Sequence, residues 1–351
     1  MKTTEFNYNL PTSQIAQKPT EPRDRSNLMV INRKNKTREH HKFFELIDYL
    51  KPGDLLVWNN SKVFKARLLG RLLSFEGKIL REHSKSVEIF LVRPMENPGV
   101  WKVLAKPSKH ISIGTRVEFA KDFFCEPMIK EPDGTMLVQF PYNQATVRRK
   151  ANQYGHVPIP PYVKDEKHEL ESYQTAYAKV EGSVAAPTAG FHFTKDIIEK
   201  IKNKGIEFAS VTLHVGLGTF LPVKTEKIED HTMHAEWVEI SEETVKKIDN
   251  AKKERRRVIA VGTTTVRTLE GVATQLGGLH KYEGDINIFI TPGFKFQIID
   301  ALITNFHLPK STLLVLVSAF VSDTDFVLES YREAVEKDYR FFSFGDGMFI
   351  E

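Results

Sequence analysis

Four short segments hold most of the residues whose types could do chemistry, and each follows a run that reads as a β-strand. They are His214-Val215-Gly216-Leu217-Gly218-Thr219-Phe220, Gly262-Thr263-Thr264-Thr265, Thr291-Pro292-Gly293-Phe294 and Asn305-Phe306-His307-Leu308-Pro309. If the strands run parallel, all four segments open at one carboxyl edge of a sheet, the edge where open α/β folds bind ligands. In the first, Gly216, Gly218 and Thr219 let backbone approach a ligand, although a Gly-x-Gly by itself also suits a tight turn. In the second, Thr263, Thr264 and Thr265 open a helix, so hydroxyls and free amides are placed to grip a carboxylate or phosphate; plain helix capping accounts for them as well. Arg267, one helical turn on, can clamp an acid through its planar fork. Asn305 and His307 bring further polar groups to the same edge.

Two more segments stand out. Ser183-Val184-Ala185-Ala186-Pro187-Thr188-Ala189-Gly190-Phe191-His192-Phe193 sets small residues, which allow close backbone approach, before His192. Asp230-His231-Thr232-Met233-His234-Ala235-Glu236 is the richest titratable cluster. Its His-x-x-His spacing suits a metal on a helix, but no third ligand stands at a familiar spacing and Cys125 is alone and distant. General acid–base chemistry is the preferred reading, because histidine titrates near neutrality.

The elements that must position these residues fall into two textures. A short helix over Phe43–Leu50, closed by Lys51-Pro52-Gly53, and a strand over Asp54–Trp58 precede Ser61. Between Ser61 and about Val147 come short apolar and β-branched runs, Val63–Leu69, Val87–Val92, Trp101–Leu104, Thr115–Phe119 and Met136–Phe140. Turn signals such as Asn97-Pro98-Gly99 and Pro132-Asp133-Gly134 separate them, which predicts a closed or nearly closed antiparallel barrel. The prolines in His156–Tyr162 mark a stiff boundary. Beyond residue 190 helices and strands alternate. Thr194 caps a helix stopped by Gly205, the strand Ile206–Leu213 follows, and Ser241 caps a helix with Glu242 and Glu243 first and Arg255, Arg256 and Arg257 last, as the helix dipole favours. Strands Val258–Val261, Ile286–Ile290 and Ala301–Thr304, a helix from Thr264, and helices Pro309–Phe320 and Phe326–Val335 complete the pattern. The prediction is an α/β layered domain with a largely parallel or mixed sheet, residues 1–60 and 151–351, carrying an inserted antiparallel β-barrel, residues 61–150.

Bulk properties set limits. A chain of 351 residues with 41% hydrophobic and 27% charged residues is globular and long enough for two domains. A single cysteine fits a reducing compartment, and Thr312–Val321, the most apolar stretch, is too short to span a bilayer. The net charge is +5, but Ser61–Lys121 holds thirteen Lys or Arg against five Glu, so the remainder is slightly acidic. A basic module on such a body suits a polyanion, with lysines guarding strand edges as the alternative.

Taken in order, Asn59-Asn60-Ser61, Ala66-Arg67-Leu68, VAAPTAGFHF, VTLHVGLGTF, IEDHTMH, VIAVGTTTVRTLE, TNFHLPKSTLL and YRFFSFGDGMFI resemble the S-adenosylmethionine:tRNA ribosyltransferase-isomerases of queuosine biosynthesis, over Phe6 to Ile350. Asn27, Lys62, Lys65, Phe191 and Gly347 depart from the usual family residues, and Leu73–Ser86 is longer than usual. The resemblance implies transfer of the ribosyl part of S-adenosylmethionine to the aminomethyl group of a 7-deazaguanine base at the tRNA wobble position, with adenine and methionine released. It implies S-adenosylmethionine as co-substrate, no prosthetic group, modified tRNA as partner, no membrane, no obligatory protein partner and a cytoplasmic location. The chemistry needs a base for the acidified 5′ protons beside the sulfonium and an acid for departing adenine. His214 or His234 is the expected base, with Asp230 orienting or accepting; His192 and His307 are candidates for proton delivery or substrate binding. Gly216, Gly218, Thr219, Thr263, Thr264, Thr265, Arg267, Asn305 and His307 are expected around S-adenosylmethionine, and Lys62, Lys65, Arg67 and Arg71 around tRNA. No metal site is expected.

Overall fold

Along the central strands, neighbouring residues pack on opposite faces, so both faces of the sheet must be covered. The computed structural model describes residues 1–74, 76–81, 86–160, 162–163, 170–216, 223, 225–233 and 235–351. In chain order, β1 (Asn27–Asn32), β2 (Thr37–Lys42) and the short helix α1 (Leu46–Tyr49) lead into β3 (Leu55–Asn59). β4 (Ser61–Val63) crosses to β5 (Arg67–Ser74), β6 (Ile79–Arg81), β7 (Val87–Pro94), β8 (Val100–Lys106), β9 (Thr115–Ala120), β10 (Phe123–Lys130), β11 (Met136–Gln139) and helix α2 (Gln144–Tyr154). The chain returns through β12 (Val180–Ser183), α3 (Lys195–Asn203), β13 (Glu207–Leu213), β14 (Glu236–Ile240), α4 (Glu242–Lys253), β15 (Val258–Val261) and α5 (Thr263–Leu276). It ends with β16 (Tyr282–Ile286), β17 (Ala301–Asn305), α6 (Thr312–Val321), α7 (Thr324–Glu336) and β18 (Gly347–Ile350).

The main sheet has nine strands in the order β16-β14-β13-β3-β15-β17-β18-β1-β2. Its centre, β13-β3-β15-β17, is parallel, and antiparallel pairs flank it, so the sheet is mixed. Leu55, Val57, Val258 and Ala260 bury one face with Val266, Leu269 and Val272 of α5 and with α6 and α7. Leu56, Ile259, Val261 and Ile303 bury the other with Phe43, Leu46, Ile197 and Ile201. Six strands, β5-β7-β8-β11-β10-β9, close on themselves through the β5–β9 pairing, and β6 extends one side. Trp101, Val103, Val117, Phe123, Cys125 and Val138 fill the barrel, and α2 adds Val147 and Ala151 to the same core.

The α/β body and the antiparallel barrel are thus both present. Differences lie in the details. The strand expected over Ile286–Ile290 is Tyr282–Ile286, because its partner β14 begins at Glu236, opposite Ile286, and leaves nothing for later residues to pair with. Consequently Thr291–Phe294 does not follow directly from a strand. β10 lies between two recognised barrel strands but is not among the expected ones, since Pro127 stands inside the run and Phe124 breaks the polar side of the alternation whose inward residues are Phe123, Cys125 and Pro127. β1 and β18 pair in parallel across almost the whole chain length, a contact no local pattern announces.

Candidate active site

The carboxyl edge of the parallel strands gathers three of the four expected segments. The loop after β13, the Gly262–Thr264 turn after β15 and the segment after β17 enclose a narrow pocket of about 50 Å³, with Ala186–Ala189, Leu313, Phe342 and Ser343. Thr291–Phe294 is absent from this lining. Gly262 adopts φ +86°, a left-handed conformation that glycine takes without strain, and turns the chain sharply from β15 into α5. Among the described residues no side chain caps α5, and its first residues, Thr263 and Thr264, line the pocket. The three threonines have different jobs. Thr265 is fully buried and donates its hydroxyl back to Val261 O at 2.7 Å, which commits it to the helix. Thr263 and Thr264 line the pocket, and the buried Thr264 Oγ1 has no hydrogen-bond partner among the described residues.

Arg267 is 3% exposed and forms an ion pair through Nη1 with Glu236, itself 4% exposed. Its buried Nε and Nη2 have no partner among the described residues, so one edge of the fork is unfilled, although Arg267 itself does not line the pocket. Glu236 Oε1 also accepts the Gly216 N–H at 3.3 Å. A Cβ on Gly216 would meet nothing within 4 Å, which leaves its backbone open to approach. Val215 N–H donates to Ser183 Oγ at 3.0 Å, fastening this loop to the small-residue segment.

His214 lies against Trp237, ring centroids 4.9 Å apart and 13° from parallel, and its N–H donates to Trp237 O at 3.0 Å. A Cβ at Gly182 would fall 2.4 Å from His214 Nε2, so only glycine permits this seat. The His214 Nδ1 is buried without a partner among the described residues. Burial first, and the Arg148 charge second, push its pKa down to about 4, so the imidazole is neutral at physiological pH.

His192 has a different character. Asn305 Nδ2 donates to its Nε2 at 3.1 Å, which leaves Nδ1–H to donate to Ser26 Oγ at 2.8 Å, and the ring stacks on Phe43. Burial above all, then the Arg23 and Arg340 charges, push its pKa down to about 3. Satisfied on both nitrogens, His192 stands behind Asn305 and does not line the pocket, whereas Asn305 does and accepts from Thr188 Oγ1 at 3.0 Å. His307 lines the pocket with longer contacts, 3.4 Å to Thr304 Oγ1 and 3.3 Å to Tyr331 OH, and burial pushes its pKa down to about 3.

Asp230 sits exposed in the short turn Ile228–Asp230, apart from the lining of the pocket. Gly218, Thr219 and His234 lie outside the described residues. Among the described residues no three His, Cys, Asp or Glu side chains gather as metal ligands, and no helix is long and apolar enough to cross a membrane.

A much larger groove of about 1230 Å³ opens between barrel and body. Lys62, Lys65, Arg67 and Lys106 line it from the barrel side, His156–Pro160 from the linker, and Val184 and Gly216 from the body. Arg67 is paired there with Glu88 at 2.7 Å. Arg71 is paired with Glu118 and does not line the groove: it shares the outward face of β5 with Arg67 and Leu69 but lies further along the strand, past the groove's edge. Two segments serve both cavities: Val184 and Gly216 border the groove, while Ala186 and Val215 border the pocket.

Glu236, Trp237 and Gly182 were not singled out by sequence. Glu236 stood at the end of the titratable cluster, but nothing local told it from the other carboxylates. Gly182, directly before the small-residue run, carried a faint signal of close approach.

A family model described as queuosine biosynthesis protein matches residues 3–350. Relatives in Thermotoga petrophila and Natranaerobius thermophilus, both called S-adenosylmethionine:tRNA ribosyltransferase-isomerase, are 50% identical over 350 residues and 49% identical over 352, with all of each chain covered. A crystal structure of an S-adenosylmethionine tRNA ribosyltransferase from Thermotoga maritima shares 40% identity and a TM-score of 0.56, covering 99% of this chain and 100% of that one.

Proposed function

The chain belongs to the queuosine biosynthesis protein family, and we propose that it carries out that family's ribosyl transfer where the α5 pocket meets the groove under the barrel. It is an S-adenosylmethionine:tRNA ribosyltransferase-isomerase: the ribosyl moiety of S-adenosylmethionine passes, with rearrangement, to the 7-aminomethyl-7-deazaguanine wobble base of tRNA, and adenine and methionine leave. The observation that carries the placement is the shared wall. Residues 184–186 and 215–216 separate a pocket for a small polar group from a groove wide enough for nucleic acid, so two substrates can meet across it.

A pocket of about 50 Å³ is far too small for a whole nucleoside sulfonium, which needs a site on the order of 300 Å³ or more. We therefore place only the methionine carboxylate there, against the free amides of Thr263 and Thr264 and near the open edge of Arg267. Ribose and adenine then extend past Gly216 toward the groove. His214, neutral and with an unpartnered Nδ1, is our candidate for taking a 5′ proton. Asn305 and His307 contact the cofactor end, with His192 holding Asn305 in place. The barrel, residues 61–150, supplies Lys62 and Lys65 to the tRNA backbone as a module inserted in a body of residues 1–60 and 151–351. No prosthetic group, metal or protein partner enters this scheme, which is set in the cytoplasm.

Incubation with S-adenosylmethionine labelled in the methyl and ribose groups, together with tRNA bearing the aminomethyl base, tests the reaction. One adenine and one methyl-labelled methionine should appear for each ribose fixed on tRNA. S-adenosylhomocysteine in their place would identify a methyltransferase. For the site, Thr264→Val keeps shape but removes the unpartnered hydroxyl, and calorimetry should show roughly tenfold weaker S-adenosylmethionine binding, the usual worth of a lost hydrogen bond of about 1.4 kcal/mol. An unchanged dissociation constant would remove Thr264 from it.

A further inference from the structure

The Glu236–Arg267 pair is almost wholly buried, and a buried pair of this kind is a poor device for stability alone, because an apolar pair of similar volume does as well. Its position suggests another use. Glu236 and Trp237, the first two residues of β14, hold the His214–Gly216 segment at three points. Trp237 O accepts the His214 N–H at 3.0 Å, the indole stacks on the His214 ring at 4.9 Å, and Glu236 Oε1 accepts the Gly216 N–H at 3.3 Å. Arg267 joins that assembly to α5, one turn beyond the pocket-lining Thr264 and on the same helical face.

We propose that Glu236 is a positioning residue for ribosyl transfer: bound to Arg267 and Gly216 together, it fixes the His214–Gly216 segment against the N-terminal turns of α5. This rests on the reading that the segment borders the reacting atoms. The carboxylate does two things that no apolar residue can do at once. It fills one nitrogen of the guanidinium and so sets the direction of the open Nε–Nη2 edge, and it anchors the backbone two residues beyond the His214 imidazole. A misplacement of about 1 Å at such a point slows chemistry on the order of a hundredfold with little change in ground-state binding.

Three variants separate positioning from folding. Glu236→Asp keeps the charge but shortens the reach to Gly216; Glu236→Gln removes the charge; Glu236→Gln combined with Arg267→Met removes the unpaired guanidinium that makes the single change prone to unfolding. Each is checked by thermal melting, then assayed with base-modified tRNA for kcat and for the KM of S-adenosylmethionine. In parallel, the His214 ring-proton resonances, assigned by their loss in His214→Ala, report the ring current of Trp237. The expected result for Glu236→Asp is kcat down thirtyfold or more, KM within about threefold, and His214 resonances moved toward ordinary histidine positions. A folded variant that retains kcat within threefold overturns the proposal, as does a loss of kcat with the His214 resonances unmoved. A normal kcat in His214→Ala instead sinks the reading of the segment as part of the active site, whatever the resonances show for Glu236.

Discussion

Neutralising Lys62, Lys65 and Lys106 together should flatten the salt dependence of tRNA binding, while neutralising Arg71 should leave it unchanged. The three lysines line the groove and make no ion pair among the described residues, so their charges are available to phosphate. Arg67 in the same groove is already engaged by Glu88, and Arg71 by Glu118 outside it. A lysine that neutralises one phosphate contributes roughly 0.7 to 0.9 units to the slope of log affinity against log salt, through counterion release. Three such contacts amount to about 2 to 3 units. Between about 50 and 200 mM salt the parent should therefore lose roughly twenty- to fortyfold more affinity than the triple alanine variant. Fluorescence anisotropy with labelled tRNA across a salt series gives both slopes, and calorimetry should show S-adenosylmethionine binding unaltered. Equal slopes for parent and triple variant would mean that these lysines do not touch phosphate. The basic surplus of the barrel would then be strand-edge protection. A slope change with Arg71→Ala as large as with one of the lysines would place the nucleic acid further along β5, beyond the groove.

Further outcomes follow from the histidines. His214→Ala should lower turnover about a hundredfold to ten-thousandfold, and solvent exchange at the cofactor 5′ carbon should fall with it. Because the His214 pKa is pushed down to about 4, the base limb it gives to kcat/KM lies near pH 4, with activity lost as pH falls through that value; a limb near 6.5 would point to another group. His192 and His307, both near 3 when folded, stay neutral where the unfolded chain binds protons, so stability falls as pH drops below about 6.5 and continues to fall until about 3. Each should cost about 2 kcal/mol between pH 7 and 5, and urea unfolding of His192→Asn should show the pH dependence reduced by that amount, an unchanged dependence counting against a neutral His192. Turnover should persist after exhaustive dialysis against EDTA; loss that zinc restores would move His231 and His234 into a metal site.

The fold was largely legible because both textures are local. Alternating apolar runs with turn signals mark a barrel, and capped helices between buried strands mark a layered sheet, as the Thr194 and Ser241 caps show. What escaped depends on distant partners. Residues 347–350 form a strand only because β1 and β17 stand ready on either side, and Ile286 ends one only because β14 starts opposite it. The site divides in the same way. The strand-end rule drew attention to Gly216, Thr264 and His307, since which edge a loop occupies follows from strand direction. Glu236 was illegible because its burial comes from an antiparallel return, β13 to β14, that carries it back to the loop it holds. Arg267 was visible as a cation but not as one already partnered.

The pair Asn59-Asn60 shows how barrel and body are kept in one geometry. β3 ends there, and an ordinary strand end would leave the last groups of β13 unpaired. Asn59 instead extends the ladder with its side chain: Oδ1 accepts the Leu213 N–H at 3.0 Å and Nδ2 donates to Leu213 O at 3.0 Å, immediately before His214. The same Oδ1 accepts the Ser61 N–H at 3.0 Å, the first residue of β4 on the way to the barrel. Asn60 holds the next step in another way. Its Oδ1 accepts from Thr212 Oγ1 at 2.8 Å, and its carbonyl takes the N–H groups of Lys179 and Val180, where the chain comes back from the barrel into β12. Both crossings between the two regions and the strand that presents His214 are therefore tied to two adjacent residues, the outward crossing by the Asn59 side chain and the return by the Asn60 carbonyl. The Asn59 amide is fully buried, where a lost partner costs about 1 to 3 kcal/mol, and Asn60 is half-buried beside it, so the three do not shift independently. On the proposed placement, a groove that delivers a nucleic-acid base to the His214 imidazole needs that rigidity, and it accounts for asparagine at position 59, where one amide donates to Leu213 O and accepts two N–H groups in one plane.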